Sequence, residues 1–172
     1  MELILVRHGE SEYNVGLSRH LDSRLTERGR EQSRKVAAEL AELDLGDFAG
    51  IVSPYRRARD TAAIIAEATG VDFEVDELVR EWGQTVIIEG RRYEHEPIDK
   101  VVERLRHFVE ARRGQRLLVV SHGTPVAILT QLARGQEPVT VGEFWADVEN
   151  CCLRRITPPA AGAGPSSGDA SP

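Results

Sequence analysis

A chain of 172 residues with 41% hydrophobic and 29% charged residues is sized for one globular domain with a full core, and is too short for two. Its net charge of -6 and pI near 5.4 argue against nucleic acid or an anionic membrane as partners, so an anion site must be a local positive patch on a negative body. No apolar run approaches bilayer length, and strand-like residues follow Met1 and Glu2 with no signal core, so a cytoplasmic protein is expected. Adjacent Cys151 and Cys152 rarely satisfy disulfide geometry and read as reduced thiols on a strand.

The first element is the run Leu3-Ile4-Leu5-Val6, apolar and cut off by Arg7-His8-Gly9, which reads as a buried strand. Ser11 to Arg24 has no period and reads as a loop beside the end of that strand. A helix opens at Leu25-Thr26 with Thr26 as N-cap and runs to about Leu43, burying Val36, Leu40 and Leu43. Residues 48 to 52 form a second strand. Ser53-Pro54 then reads as an N-cap with proline at the first helical position, for a helix to about Thr69 that buries Ala58, Ala62, Ile65 and Ala66.

Val71 to Val79 contains a short strand, and Gln84 to Glu96 follows no pattern, so a loop or small excursion is expected there. Pro97 begins a helix with Ile98, Val101, Val102, Leu105, Phe108 and Val109 on one stripe, leaving His107 to solvent. Residues 116 to 120 form a strand, and Thr124-Pro125 starts a helix that stops at Gly135. Val139 to Trp145 fits neither element clearly, Cys151 to Ile156 reads as a last strand, and the Pro, Ala, Gly and Ser of 158–172 predict a disordered tail. The alternation predicts an α/β domain over 1–157, with a mainly parallel sheet and helices on both faces.

Three strands end in cations or imidazoles: Arg7-His8 after the first, Arg57 just beyond the second, and Ser121-His122-Gly123 after a later one. If the strands are parallel, these ends share one sheet edge, where open α/β folds bind ligands. An anion is the natural guest. Two arginine forks suit phosphate, and a neutral imidazole held unprotonated by neighbouring arginines is a competent nucleophile.

The motifs RHGE at 7–10, SPYRRARDTA at 53–62 and VVSHGTP at 119–125, in that order, resemble the histidine phosphatase superfamily, the phosphoglycerate mutase-like proteins. LTERGREQS at 25–33 is similar to a further segment of that family. The resemblance covers most of residues 1 to 157 and implies a three-layer α/β/α sandwich. It implies His8 as nucleophile, Arg7, Asn14, Arg57, His122 and Gly123 on the phosphate, and His122 as stabiliser of the transition state. Glu81 matches the family's acid and base, although Glu81-Trp82-Gly83-Gln84 departs from the usual spacing of glycine, tryptophan and glutamate after that residue. Glu10, Glu77 and Glu89 compete for the same role.

The expected activity is a metal-independent phosphatase that acts on phosphomonoesters, or on an accessible phosphorylated side chain, through phospho-His8, with no cofactor. A metal on His8 and His122 lacks further ligands at a recognisable spacing and would be repelled by two arginines. Alternatives are a cofactor-dependent phosphoglycerate mutase, a phosphohistidine protein phosphatase and a non-catalytic phosphate-binding module. The segment after Glu81 is short, which predicts an open site. Arg91, Arg92, Tyr93, Glu94 and His95 within it, and Arg19 and His20 in the opening loop, are either readers of a second anionic group or solvated surface.

Overall fold

The computed structural model describes residues 1–83, 85–138 and 148–157. The first strand, β1 (Glu2–Arg7), lies inside a five-stranded sheet with β2 (Ala49–Val52), β3 (Phe73–Val75), β6 (Arg116–Ser121) and β7 (Leu153–Ile156). Its order is β3-β2-β6-β1-β7, parallel throughout except for β7, which runs antiparallel to β1. Helices α1 (Glu27–Ala41) and α2 (Arg56–Thr69) cover one face; α3 (Ile98–Ala111) and α4 (Gly123–Ala133) cover the other.

The pleat explains why β1 and β6 are apolar at every position of their centres, Leu3 to Val6 and Leu117 to Val120, rather than at alternate ones. Successive side chains point to opposite faces. Leu3, Leu5, Leu117 and Val119 therefore enter one core with Leu105, Phe108 and Ile128, while Ile4, Val6, Leu118 and Val120 enter the other with Leu40, Ala62 and Ile65. The three-layer sandwich follows from two buried faces, as expected. Because β6 lies between β1 and β2, the C-terminal ends of all three stand side by side on one edge.

Thr26 caps α1 as expected, its hydroxyl accepting from Gly29 N at 3.0 Å. Gly9 and Gly29 let the chain leaving β1 cross the first turn of α1 at backbone contact: a Cβ on Gly29 would collide with the Glu10 carbonyl, and one on Gly9 with the Gly29 carbonyl. Gly29→Ala is expected to cost about 3 kcal/mol, because backbone cannot yield as a flexible side chain does. Urea unfolding of the variant measures this, and a loss under about 0.5 kcal/mol would show that the crossing relaxes freely.

Three expectations are corrected. Ser53 does not cap α2: Tyr55 holds the N-cap position without a side-chain bond, and the cap comes from the loop, where Asp22 Oδ1 accepts from Arg56 N at 2.5 Å. Residues 85 to 96 are not patternless, since β4 (Val86–Ile88) and β5 (Arg91–Tyr93) form a hairpin, and residue 84 lies outside the described residues. Its turn, Glu89-Gly90, has positive φ at both residues, as tight two-residue hairpin loops require. Cys151 and Cys152 are free thiols, yet they precede β7 rather than lie on it. Burial pushes the Cys151 thiol up to about 11, which disfavours the thiolate. The segment Val139 to Trp145 and the tail 158–172 lie outside the described residues. No described helix is long and apolar enough to cross a membrane.

Candidate active site

At the shared strand edge lies a cavity of about 410 Å³, within the range of small-molecule sites. Arg7 and His8 enter it from the end of β1, Arg57 from the first turn of α2, and Glu81 from the chain after the short 3₁₀ helix Glu77–Val79. Asn14 lines it from the opening loop and Thr124 from the first turn of α4.

His8 is buried and oriented on both ring nitrogens. Nδ1 stands 2.7 Å from the Gly9 carbonyl oxygen, which can only accept, so the proton sits on Nδ1 and Nε2 keeps a lone pair. Arg57 Nε donates to that lone pair at 2.9 Å. Burial first, then the Arg57 charge, holds the imidazole well below the ordinary histidine range. The His8 backbone is fixed as well: its N–H donates to Ser121 O at 2.9 Å, and its carbonyl accepts from Asn150 Nδ2 at 3.0 Å.

His122 sits one layer deeper, fully buried, its ring 5.0 Å from that of His8 and edge-on. Ser53 Oγ lies 2.7 Å from its Nε2, so the residue read as a helix cap in fact orients this imidazole. Its Nδ1 has no hydrogen-bond partner among the described residues and lies 4.0 Å from Glu81 Oε2. Arg7 Nε is the other buried orphan, while Arg7 Nη1 donates to the Val148 carbonyl. Such orphans cost about 1–3 kcal/mol each unless a ligand oxygen satisfies them. Tyr55 packs edge-on against His122 at 4.9 Å with Arg57 4.8 Å over its ring, and burial pushes its hydroxyl up to about 12.

Glu81 is the one carboxylate among the described lining residues. Burial raises its pKa, against the opposing pull of Arg57, the Trp82 N–H and Arg7. The rival carboxylates point elsewhere. Glu10 accepts from Thr26 Oγ1 at 2.7 Å, Glu77 pairs with Arg91, and Glu89 pairs with Arg59 at 2.5 Å.

A clamp invisible to periodicity holds the Glu81 backbone. Arg104 donates to the carbonyls of Leu78 and Arg80, and Ser121 Oγ donates to that of Val79 at 2.6 Å. Glu96 pairs with Arg104 at 2.9 Å and Arg80 at 3.0 Å, and its carbonyl accepts the Trp82 indole N–H at 2.7 Å. Arg104 lies on the buried stripe of α3 between Val101 and Leu105, a charged residue where the apolar pattern gave no signal.

The structure thus brings together Arg7, His8, Asn14, Arg57 and Glu81, with His122 directly behind. Asn14 Oδ1 accepts from Ser11 N at 3.0 Å and from Ser11 Oγ at 2.9 Å. Gly123 does not line the cavity; it opens α4 behind the Arg7 guanidinium, and Thr124 takes the place at the wall. The hairpin residues Arg91, Arg92 and Glu94 face away from this cavity, whereas His95 lines it. Among the described residues, no group of three His, Cys, Asp or Glu side chains is placed to hold a metal ion.

Burial of neutral imidazoles sets a pH dependence of stability. Unfolded histidines take a proton near pH 6.5, whereas His8 and His122 resist it until well below. The contribution is therefore full above about pH 6.5 and is lost as pH falls below it. Glu81, with its raised pKa, acts with opposite sign and loses stability as pH rises through its window. The urea midpoint is expected to fall between about pH 7.5 and 5, and to fall less steeply in His122→Gln. An equally steep fall in the variant would contradict a neutral buried imidazole.

A mainly parallel sheet, at whose C-terminal edge two arginines, two buried imidazoles and one carboxyl of raised pKa gather, offers the charge and geometry to hold an anion such as phosphate. The model of the histidine phosphatase superfamily (branch 1) matches residues 3–97. The chain belongs to that superfamily. It is 29% identical to the probable phosphoglycerate mutase GpmB of Escherichia coli, over 91% of this chain and 84% of that protein. The native mycobacterial glucosyl-3-phosphoglycerate phosphatase superposes with a TM-score of 0.63 at 25% identity, covering 90% of this chain and 88% of its own. A putative alpha-ribazole-5'-P phosphatase from Escherichia coli shares the fold, with a TM-score of 0.72 at 19% identity, covering 93% and 92%.

Proposed function

We propose that this protein is a phosphatase that hydrolyses phosphomonoesters through a phosphoryl group carried on His8, without a metal ion. The observation that carries the proposal is the His8 imidazole: Nδ1 is committed to the Gly9 carbonyl, and Nε2 keeps its lone pair inside a cavity that also holds two arginines and a raised carboxyl.

In the first step Nε2 attacks phosphorus, the ester P–O bond breaks, and the leaving oxygen takes the proton of Glu81. In the second, the Glu81 carboxylate takes a proton from water as the water oxygen attacks phosphorus. The P–N bond then breaks, its electrons return to Nε2, and inorganic phosphate leaves. Arg7 and Arg57 spread positive charge over the equatorial oxygens, where a pentacoordinate phosphoryl group gathers negative charge. Arg57 Nε occupies the Nε2 lone pair as arranged here, so the incoming phosphoryl group displaces it and receives the guanidinium instead. His122 Nδ1, buried and without a partner among the described residues, is the donor for a phosphate oxygen and for the transition state.

Phosphoglycerate mutase activity is the second reading, favoured by the likeness to the protein of that name. A mutase keeps the phosphoryl group from water and returns it to another hydroxyl. A panel of phosphomonoesters, 3-phosphoglycerate with bisphosphoglycerate, and a phosphohistidine peptide separates the two, assayed with and without chelator. Phosphate release that survives chelator supports the hydrolase; interconversion of phosphoglycerates without release supports the mutase and overturns it.

A further inference from the structure

The phosphate half of the cavity takes up both arginines that line it among the described residues. Arg7 and Arg57 are the only lysines or arginines among the described lining residues. The residues outside the description add none, since 84, 139–147 and 158–172 contain no lysine, arginine or histidine. The nearby arginines of the hairpin, of α3 and of the chain just before Glu81 are already paired: Arg92 with Glu94 at 2.5 Å, Arg104 and Arg80 with Glu96, Arg91 with Glu77. Arg19 and His20 line a separate depression against Thr85 and Val86.

What remains of the wall is Tyr13, Leu21, Trp82 and Gly83, with His95 and Thr124 as its polar members. The Trp82 ring is held by its indole bond to Glu96 O and packs on the core below, so it offers a fixed apolar surface. Glu81 stands on the same wall, and the whole body carries a net charge of -6. A second anionic group on the substrate would be desolvated there with no arginine or lysine to pair with.

We infer that this cavity takes phosphomonoesters whose leaving group is uncharged and presents apolar or aromatic surface, and that it rejects leaving groups bearing a carboxylate or a second phosphate. The inference rests on the hydrolytic reading of the same site. It sets the substrate class apart from phosphoglycerates.

The test uses a matched pair, phenyl phosphate and 4-carboxyphenyl phosphate, in which the added carboxylate changes the acidity of the phenol little. Binding of each to full-length His8→Ala by calorimetry reads the preference without requiring turnover, and phosphate release by the wild type reads the hydrolase separately. Phenyl phosphate is expected to bind about tenfold tighter or more, the scale set by one partly desolvated, unpaired charge. In Tyr13→Arg, combined with His8→Ala, the gap is expected to close by several-fold because a cation now faces the wall. Equal or tighter binding of the carboxylated ester, or no binding of either, overturns the inference. Absence of turnover with the binding preference intact would fell the hydrolase reading alone.

Discussion

His8→Ala is expected to reduce phosphate release from every ester tested by about 10⁴-fold or more, because removing a nucleophile removes the covalent path and leaves only positioning and charge. Binding should survive. Arg7 and Arg57 keep their places from β1 and α2, and loss of His8 frees the Arg57 Nε that now donates to it. The expected result is therefore a collapse of kcat with phosphate affinity within a few-fold of the wild type. It is measured by steady-state release alongside a calorimetric titration with inorganic phosphate. Residual activity within tenfold of the wild type would mean that water attacks the ester directly, and that His8 merely fills the site.

Glu81→Gln separates the two halves of the reaction. An alkyl leaving group needs a proton as it departs, so kcat/KM for an alkyl phosphate is expected to fall by about 10²–10⁴-fold. A nitrophenyl ester leaves as a stable anion, and its first step should survive nearly intact. The second step still needs a base for water, so the phosphoryl enzyme should accumulate and give a burst of about one nitrophenolate per protein. The sign with pH follows from the raised carboxyl: kcat/KM for the alkyl ester falls as pH climbs through the Glu81 pKa, and the nitrophenyl ester lacks that limb. Equal losses for both esters would place the proton elsewhere.

Much of the fold and half of the site were legible because they are written as short-range pattern. An apolar run cut by Arg7-His8-Gly9, and another cut by His122-Gly123, mark strand ends without any knowledge of topology. The sheet order then does the rest, setting β6 between β1 and β2. Most of the parts that were missed are long-range. Ser53 satisfies the local rule for a helix cap and yet serves an imidazole 69 positions away, so the local signal concealed the distant one. Asn150 bonds the His8 carbonyl across 142 positions, and nothing in its neighbourhood marks it. Arg104 occupies a core position of α3 as a charge, tolerable only because Glu96 and two carbonyls meet it. The hairpin at 86–93 had a readable signal, β-branched residues before Glu89-Gly90, but the adjacent charges Arg91 and Arg92 on β5 broke its period. Glu81 lies in irregular chain, where no periodicity points, and only motif likeness singled it out.

The central claim is a phosphoryl group on His8, and trapping it is the most direct measurement. Protein mixed with radiolabelled ester is quenched in base within milliseconds and digested, and the labelled peptide is sequenced. The predicted result is an acid-labile, base-stable label on the peptide containing His8, enriched in Glu81→Gln and absent from His8→Ala. A label on another residue, or turnover with no label at any quench time in either protein, would contradict the covalent mechanism.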